Sequence, residues 1–294
     1  MIGEISALLT ACVWSVSSVM FAGAIRRIGS VQVNVVRLVI AAILLSLTML
    51  IAGLSLTLTF KQYLYLSISG FIGLVFGDTF LFKSFHVNGA RISMLIMSLA
   101  PAISAVLAYL ILGELLSIWG IAGIVVTTAG IALVVASNQT NEEANVKLTR
   151  AGLLYGSLGA LGQGAGLVFA RLAFVEGDIN GFVATFIRIA ASIVILLPLT
   201  LATGRFKNPI AAFRKDKRAL MLTIGGAIFG PYLGITFSLI AIMYTKVGIA
   251  ATLIATVPIL MLPLVRIIYK EKLTWHAIAG ACVAVGGVAI LFLR

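Results

Sequence analysis

Charged side chains are scarce in this 294-residue chain, at 10% of residues, and only 9 residues are acidic. A soluble globular domain usually carries about a quarter of its residues as Asp, Glu, Lys and Arg. The chain is instead 61% hydrophobic, which is more apolar surface than one water-soluble core can bury. These figures exclude a soluble domain and predict an integral membrane protein.

Cysteine and histidine are also rare, with two residues of each. Cys12 and Cys282 lie in separate apolar stretches, so the sequence supports neither a disulfide framework nor a zinc site. His86 and His276 have no second ligand at metal-binding spacing. The chain also lacks GxSxG, HExxH and P-loop motifs. We therefore predict no metal, no cofactor, no catalytic residue and no direct use of ATP.

Basic residues outnumber acidic ones, 21 to 9. They lie between apolar stretches, which is typical of signals that orient a chain in a bilayer. Nucleic-acid binding would need them gathered on one surface. The sequence therefore predicts a lipid bilayer as partner, with no nucleic acid, and we expect a bacterial inner (plasma) membrane.

Continuous apolar stretches, each able to cross roughly 30 Å of hydrocarbon, fill most of the chain. They lie at 3–25, 31–52, 62–84, 89–112, 117–136, 151–170, 180–202, 218–243, 247–268 and 274–293. Long continuous runs favour helices over the short alternating strands of a barrel. The predicted fold class is all-α integral membrane, with about ten transmembrane helices.

The two halves of the chain repeat one sparse pattern. An offset of 157 carries identical residues onto one another, among them Gly73 onto Gly230, Pro101 onto Pro258 and Glu114 onto Glu271. Offsets of 149 and 151 relate the first two stretches of each half and place Arg37 on Arg188. Because five crossings reverse the chain, the predicted repeats, 3–136 and 150–293, are inverted, with 137–149 as a polar linker. Inverted repeats are typical of alternating-access transporters.

The run Gly113-Glu114, at the end of a stretch that contains Pro101, resembles the EamA-type domain of the drug/metabolite transporter superfamily. Gly123 and Gly130 in the next stretch extend the likeness. The second half repeats the pattern with Pro258, Glu271, Gly280 and Gly287. The resemblance implies a ten-span carrier with a central cavity between two pseudo-symmetric halves, often an exporter of amino acids or other small metabolites.

Arg37 and Arg188 lie at equivalent depths in the second stretch of each half. A charge inside a span costs about 2.5–3.5 kcal/mol on insertion scales, so each one needs a partner or a purpose. One interpretation places the two guanidinium groups at opposite mouths of one cavity, where they hold a carboxylate or phosphate in turn. The other has each side chain reach the interface or bind backbone carbonyls.

Asp78 is the one acidic residue well inside an apolar stretch, and its repeat equivalent is Ile235. Burial raises the pKa of a carboxyl group, so a proton-coupling role is one interpretation. A static ion pair with Arg91 or Arg37 is the other, and we favour it.

Pro101 and Pro258 remove a helix hydrogen bond at equivalent depths, so we expect kinks there that serve as hinges or as ordinary bends. Glu114 and Glu271 follow helix C-terminal ends, where a carboxylate opposes the helix dipole. We predict that both are structural and bind a basic or hydroxyl group across the bundle.

Three further polar or aromatic residues are candidates for the wall of a substrate pathway: Trp14, Gln163 and Tyr232. Aromatic residues in spans also serve as packing. The sequence as a whole predicts a secondary carrier, an exporter or exchanger, of a small polar metabolite such as an amino acid. A proton or a counter-substrate would drive it. The alternatives are a membrane-embedded enzyme that acts on lipid, or a scaffold without transport.

Overall fold

A computed structural model describes residues 1–136, 149–204, 206, 209–269 and 275–292. The described part is helical, without a β-strand, so the all-helical prediction is confirmed. The first half comprises α1 (Ile2–Ile28), α2 (Ser30–Ala52), α3 (Phe60–Gly70), α4 (Asp78–Met97), α5 (Ala100–Leu112) and α6 (Ile118–Ala136). The second half comprises α7 (Arg150–Val175), α8 (Gly181–Ala202), α9 (Pro209–Lys215), α10 (Lys217–Ala227), α11 (Ile235–Tyr244), α12 (Val247–Ile254), α13 (Val257–Tyr269) and α14 (Trp275–Phe292). The predicted linker lies outside the described residues, except Thr149.

Six of the described helical stretches are long and apolar enough to cross a bilayer. They are Ile2–Ile28, Ser30–Ala52, Phe60–Asn88, Arg150–Val175, Gly181–Ala202 and Lys217–Tyr244. They correspond to the first three predicted crossings of each half. The fourth and fifth predicted crossings correspond to the shorter apolar helices Ala100–Leu112, Ile118–Leu133, Val247–Met261 and Ile278–Ile290. The chain is an integral membrane protein, and the count of ten spans stays a prediction.

Helix α4 spans the predicted boundary between the third and fourth crossings and is bent there. The hydroxyl oxygens of Ser84 and Ser93 lie 2.7 Å apart. Nine residues of straight α-helix would separate them by about 13.5 Å along the axis. The hydrogen bond therefore requires a sharp turn between these two serines, where the sequence predicts the boundary.

Two π-helical segments, Phe71–Gly77 and Ile228–Gly234, interrupt the third crossing of each half. The repeat offset of 157 carries one segment onto the other. Pro231 lies inside the second segment and has no N–H to donate. Such segments are rare and frequently lie at functional sites.

Each π-helical segment packs against the first two helices of the other half. Phe71–Gly77 contacts α7 and α8, and Ile228–Gly234 contacts α1 and α2. Glycine permits this approach, since a Cβ on Gly77 would lie 3.2 Å from the backbone of Gly162. The last helices, α6 and α14, also pack on each other. Each half thus makes equivalent contacts with the other, as expected for a pseudo-two-fold relation.

Side-chain caps fix where several helices begin. Thr59 and Gln62 form a reciprocal capping box at the start of α3. The Thr149 side chain accepts a hydrogen bond from the Gly152 N–H at the start of α7. The Asn180 side chain accepts one from the Phe182 N–H and begins α8. The start of α8 sets the depth of Arg188, which lies two turns further on.

Candidate binding cavity

A cavity of about 970 Å³, including the space at its mouth, lies where the two halves meet. The first half contributes residues from α1, α2, α4 and the first π-helical segment. The second half contributes residues from α7, α8, α11 to α13 and the second π-helical segment. Four of the five predicted pathway residues line it: Trp14, Arg37, Gln163 and Arg188.

Arg37 is buried at the wall of this cavity and is held by polar and aromatic partners. Its Nη2 donates to Asp78 Oδ2 in an ion pair. Its Nε and Nη2 also donate to Asn34 Oδ1, at 3.0 and 2.9 Å. The guanidinium carbon lies 4.6 Å from the ring centre of Phe82 and 5.4 Å from that of Phe21, within cation–π range. The charge of Arg37 is therefore compensated within the first half.

Asp78 begins α4, directly after the first π-helical segment, and lines the cavity. The structure pairs it with Arg37, one of the two partners that the sequence left open. The other, Arg91, lies on α4, and its side chain is outside the described part of the chain.

Arg188 has a different environment, although it lines the same cavity. Its residue is only 3% exposed, and its Nε is buried without a hydrogen-bond acceptor. Within the described residues its side chain forms no hydrogen bond and no ion pair. Asp78 is near enough for an electrostatic interaction, but its carboxylate is bound to Arg37. A buried charge without a partner is costly, so this guanidinium is a candidate binding group.

Both arginines lie near Asp78, since Arg37 is bound to it and Arg188 is close enough for an electrostatic interaction. Arg37 lies four residues before the middle of α2, and Arg188 lies at nearly the same distance before the middle of α8. At 1.5 Å per residue, each Cα is only about 6 Å from its helix midpoint. The helices α2 and α8 pack on each other, and both arginines line the cavity.

The rest of the cavity wall is largely apolar. On α4, Phe82, Phe85, Met94 and Met97 face it, and Trp14 faces it from α1. Aromatic rings offer large flat apolar surfaces, and methionine side chains adapt to irregular shapes. The cavity thus combines one unpaired guanidinium with a wall suited to an apolar group.

Tyr232 does not line this cavity. Its hydroxyl oxygen lies 2.8 Å from Thr48 Oγ1, and its ring centre is 6.2 Å from that of Phe182. These contacts join the second π-helical segment to α2 and α8. The structure therefore places Tyr232 in the interface between the halves.

Pro101 and Pro258 lie in the first turns of α5 and α13, each directly after a two-residue interruption, 98–99 and 255–256. Proline fits a first turn well, because its missing N–H would have no helical acceptor there. Both prolines mark a break between helices, whereas the sequence predicted a kink within one. Pro258 lines the cavity.

Glu114 joins the ends of three helices. Its Oε2 accepts a hydrogen bond of 2.9 Å from the Val247 N–H at the start of α12, and its Oε1 lies 3.5 Å from Arg171 Nε on α7. Arg171 Nη1 also donates to the backbone oxygens of Ile242 and Met243. The carboxylate thus sits at a helix N-terminus, where the dipole favours it. Glu271 lies outside the described residues.

Sequence reasoning missed three residues around Arg37: Asn34, Phe21 and Phe82. Asn34 carried a usable signal, since a polar amide three residues before a buried arginine lies on the same helix face. The two rings carried none, because phenylalanine is common in apolar stretches.

The fold and the cavity define a class: helical membrane proteins with two related halves around a shared cavity. Within it, the chain belongs to the EamA-like transporter family, whose sequence model matches residues 1–136 and again residues 150–293. The family resemblance seen in the sequence is confirmed. The family consists of transporters, which implies a small-molecule substrate and a lipid environment.

Solved structures share this fold, and 29 chains match. One crystal structure has a TM-score of 0.77 at 16% sequence identity, over 99% of this chain and 96% of its own. At that identity the likeness concerns the fold alone. No curated protein matches the chain.

Proposed function

We propose that this protein is a secondary transporter of small polar metabolites such as amino acids. It exports or exchanges them across an inner (plasma) membrane by alternating access between two inverted halves. The cavity carries the proposal, because both halves contribute a buried arginine to it. Ionisable groups inside a membrane bundle are costly and usually mark a substrate or ion path.

Access would alternate by movement of one half against the other. The interface is built from close helix approaches at glycines, and the structure interrupts helices at the π-helical segments and before Pro101 and Pro258. Interrupted helices at the repeat interface are typical of carriers that rock around a central site. We assign these breaks to the rocking motion.

Energy for uphill movement would come from a proton or counter-substrate gradient. The ion pair between Asp78 and Arg37 supports a static role for this carboxylate. Transport by Asp78→Asn at several pH values tests that assignment. Unchanged pH dependence is expected, and loss of it would assign the coupling proton to Asp78.

Uptake of a pooled metabolite mixture into proteoliposomes, read by mass spectrometry, tests the function itself. We expect selective accumulation above protein-free vesicles, and a response to an imposed proton gradient or to a preloaded counter-substrate. Absence of accumulation in a preparation shown to be folded would contradict the proposal. It would favour a lipid-acting enzyme or a scaffold.

A further inference from the structure

In the part of the chain that the structure describes, the charges that line the cavity leave one positive charge without a counter-charge. Arg37 and Asp78 neutralise each other, and Arg188 remains. Among the described residues of the wall, Asp78 is the sole acidic group. Ile235, the repeat equivalent of Asp78, also lines the cavity but carries no charge.

This charge distribution favours a negatively charged ligand and opposes an ammonium group. A carboxylate matches the fork of a guanidinium with two parallel hydrogen bonds. A free carboxylate is the group that would neutralise an ammonium charge, and Asp78 is already bound to Arg37 and lies near Arg188. The cavity can therefore compensate the acid group of an amino acid, but its described wall offers no free anion for the amine.

The geometry leaves little freedom for the Arg188 side chain. Its Nη2 lies 3.0 Å from the position that a Cβ would occupy on Gly73 in the first π-helical segment. A Cβ on Gly70 would approach the Arg188 backbone oxygen closely. These two glycines let α8 and the guanidinium lie against the opposite half, so the charge is positioned before a ligand arrives.

We propose that the cavity selects monocarboxylates that carry an apolar or aromatic side chain and no ammonium group, with Arg188 as the carboxylate-binding residue. The proposal rests on the transport function stated above and narrows its substrates to carboxylates without an amine, so that amino acids are excluded. Because the cavity has one uncompensated positive charge, the ligand should carry one negative charge. The rings and methionines of α4 face the apolar part. Examples of this class are the 2-oxo acids that correspond to leucine and phenylalanine.

Matched ligand pairs that differ at the amine test this selection. Proteoliposomes that contain the full chain are given phenylpyruvate or phenylalanine, and 4-methyl-2-oxopentanoate or leucine, with protein-free vesicles as the blank. We expect the 2-oxo acids to enter at least about tenfold faster than the amino acids. Equal uptake, preference for the amino acids, or uptake of neither pair would overturn the proposal.

The variant Arg188→Gln should lose uptake of the 2-oxo acids, and Arg188→Lys should retain part of it, because lysine keeps the charge without the fork. Arg27→Gln is the matched control, since Arg27 pairs with Asp216 away from the cavity. It should leave the preference unchanged. Thermal unfolding of purified Arg188→Gln with phenylpyruvate separates folding from binding: a folded variant without ligand stabilisation supports the proposal, and normal stabilisation overturns it.

Failure of this proposal is distinguishable from failure of the transport function. If the pooled mixture enters but the 2-oxo acids do not, the selectivity is wrong and the carrier remains. If nothing enters, both are wrong.

Discussion

Arg37 and Arg188 occupy equivalent positions in the two halves, yet of the two only Arg37 has an ion-pair partner among the described residues. Four residues of the first half hold it: Asn34, Asp78, Phe21 and Phe82. The repeat offsets place Thr185, Ile235, Ala170 and Leu239 at the equivalent positions of the second half. None of these is acidic or aromatic, and the Thr185 hydroxyl donates to the Gly181 oxygen.

This contrast separates two uses of one residue type. The paired arginine, Arg37, joins α2 to α4 through Asp78. An equally buried arginine without partners contributes little to packing and is unfavourable for folding. Unfavourable groups of this kind are retained where binding needs them. We therefore expect a ligand to bind the charge of the second half, Arg188.

The largest effect is expected from Asp78→Asn, which removes the counter-charge of Arg37. Breaking a buried ion pair on one side costs about 3 kcal/mol or more. Chemical unfolding in detergent, followed by circular dichroism, would measure this loss in the free energy of unfolding.

Arg188→Met is the matched comparison, because it removes an equally buried arginine that forms no ion pair with any described residue. We expect its free energy of unfolding to change by less than about 1 kcal/mol, or to rise. Equal losses in the two variants would show that Arg188 is as well compensated as Arg37.

The next effect is expected from Ile235→Asp, which gives Arg188 the partner that Arg37 already has. The new carboxylate would occupy the guanidinium, so transport of anionic substrates should fall at least about tenfold, or about 1.4 kcal/mol in transition-state terms. Ile235→Asn has nearly the same shape without the charge and should transport faster than Ile235→Asp. Initial uptake rates at one substrate concentration decide the comparison.

The repeat offsets predicted the equivalence of Arg37 and Arg188 and the missing counterpart of Asp78. Sequence also predicted the depth of each residue, because depth follows from residue count along a helix. It could not predict which way each side chain faces. Lipid and protein interior are equally apolar, so a membrane helix shows little difference between its faces.

Because the sequence does not show which way a side chain faces, the structure differs from the prediction at particular residues. Tyr232 lies at the predicted depth but faces Thr48 and Phe182 instead of the cavity. Glu114 lies at the predicted helix end with a basic residue, Arg171, across the bundle, and it also accepts a hydrogen bond from the first N–H of α12, which the sequence did not predict. The π-helical segments lie against the opposite half, and no local sequence pattern predicted them.

A smaller effect is expected from Gly73→Ala, which places a methyl group 3.0 Å from Arg188 Nη2. The guanidinium can yield by a few tenths of an ångström, so folding should be nearly unchanged while the bound ligand is displaced. We expect KM to rise about threefold, which corresponds to roughly 0.7 kcal/mol of binding free energy. The melting temperature should change little. A large loss of stability would show that the arginine cannot yield.

The smallest effect is expected at the ion pair between Arg27 and Asp216, which is the exposed counterpart of Arg37 and Asp78. Its atoms lie 2.8 Å apart, with the side chains 39% and 27% exposed. The hydrogen bond from Arg27, followed by that from the Ala219 N–H, lowers the pKa of Asp216 below its usual range. A lowered carboxyl pKa stabilises the fold above the ordinary value of about 4 and loses that effect as pH falls through the folded-state value.

Asp216→Asn isolates this contribution, because asparagine still caps α10 but carries no charge. Below pH 4 the wild type should lose its small advantage in melting temperature over the variant. Salt should reduce the same advantage at neutral pH, since dissolved ions weaken an exposed ion pair. The loss caused by Asp78→Asn should persist in salt, because that pair is buried. Equal salt sensitivity of the two variants would mean that water screens Arg37 as fully as Arg27, and the contrast with Arg188 would then lose its electrostatic basis.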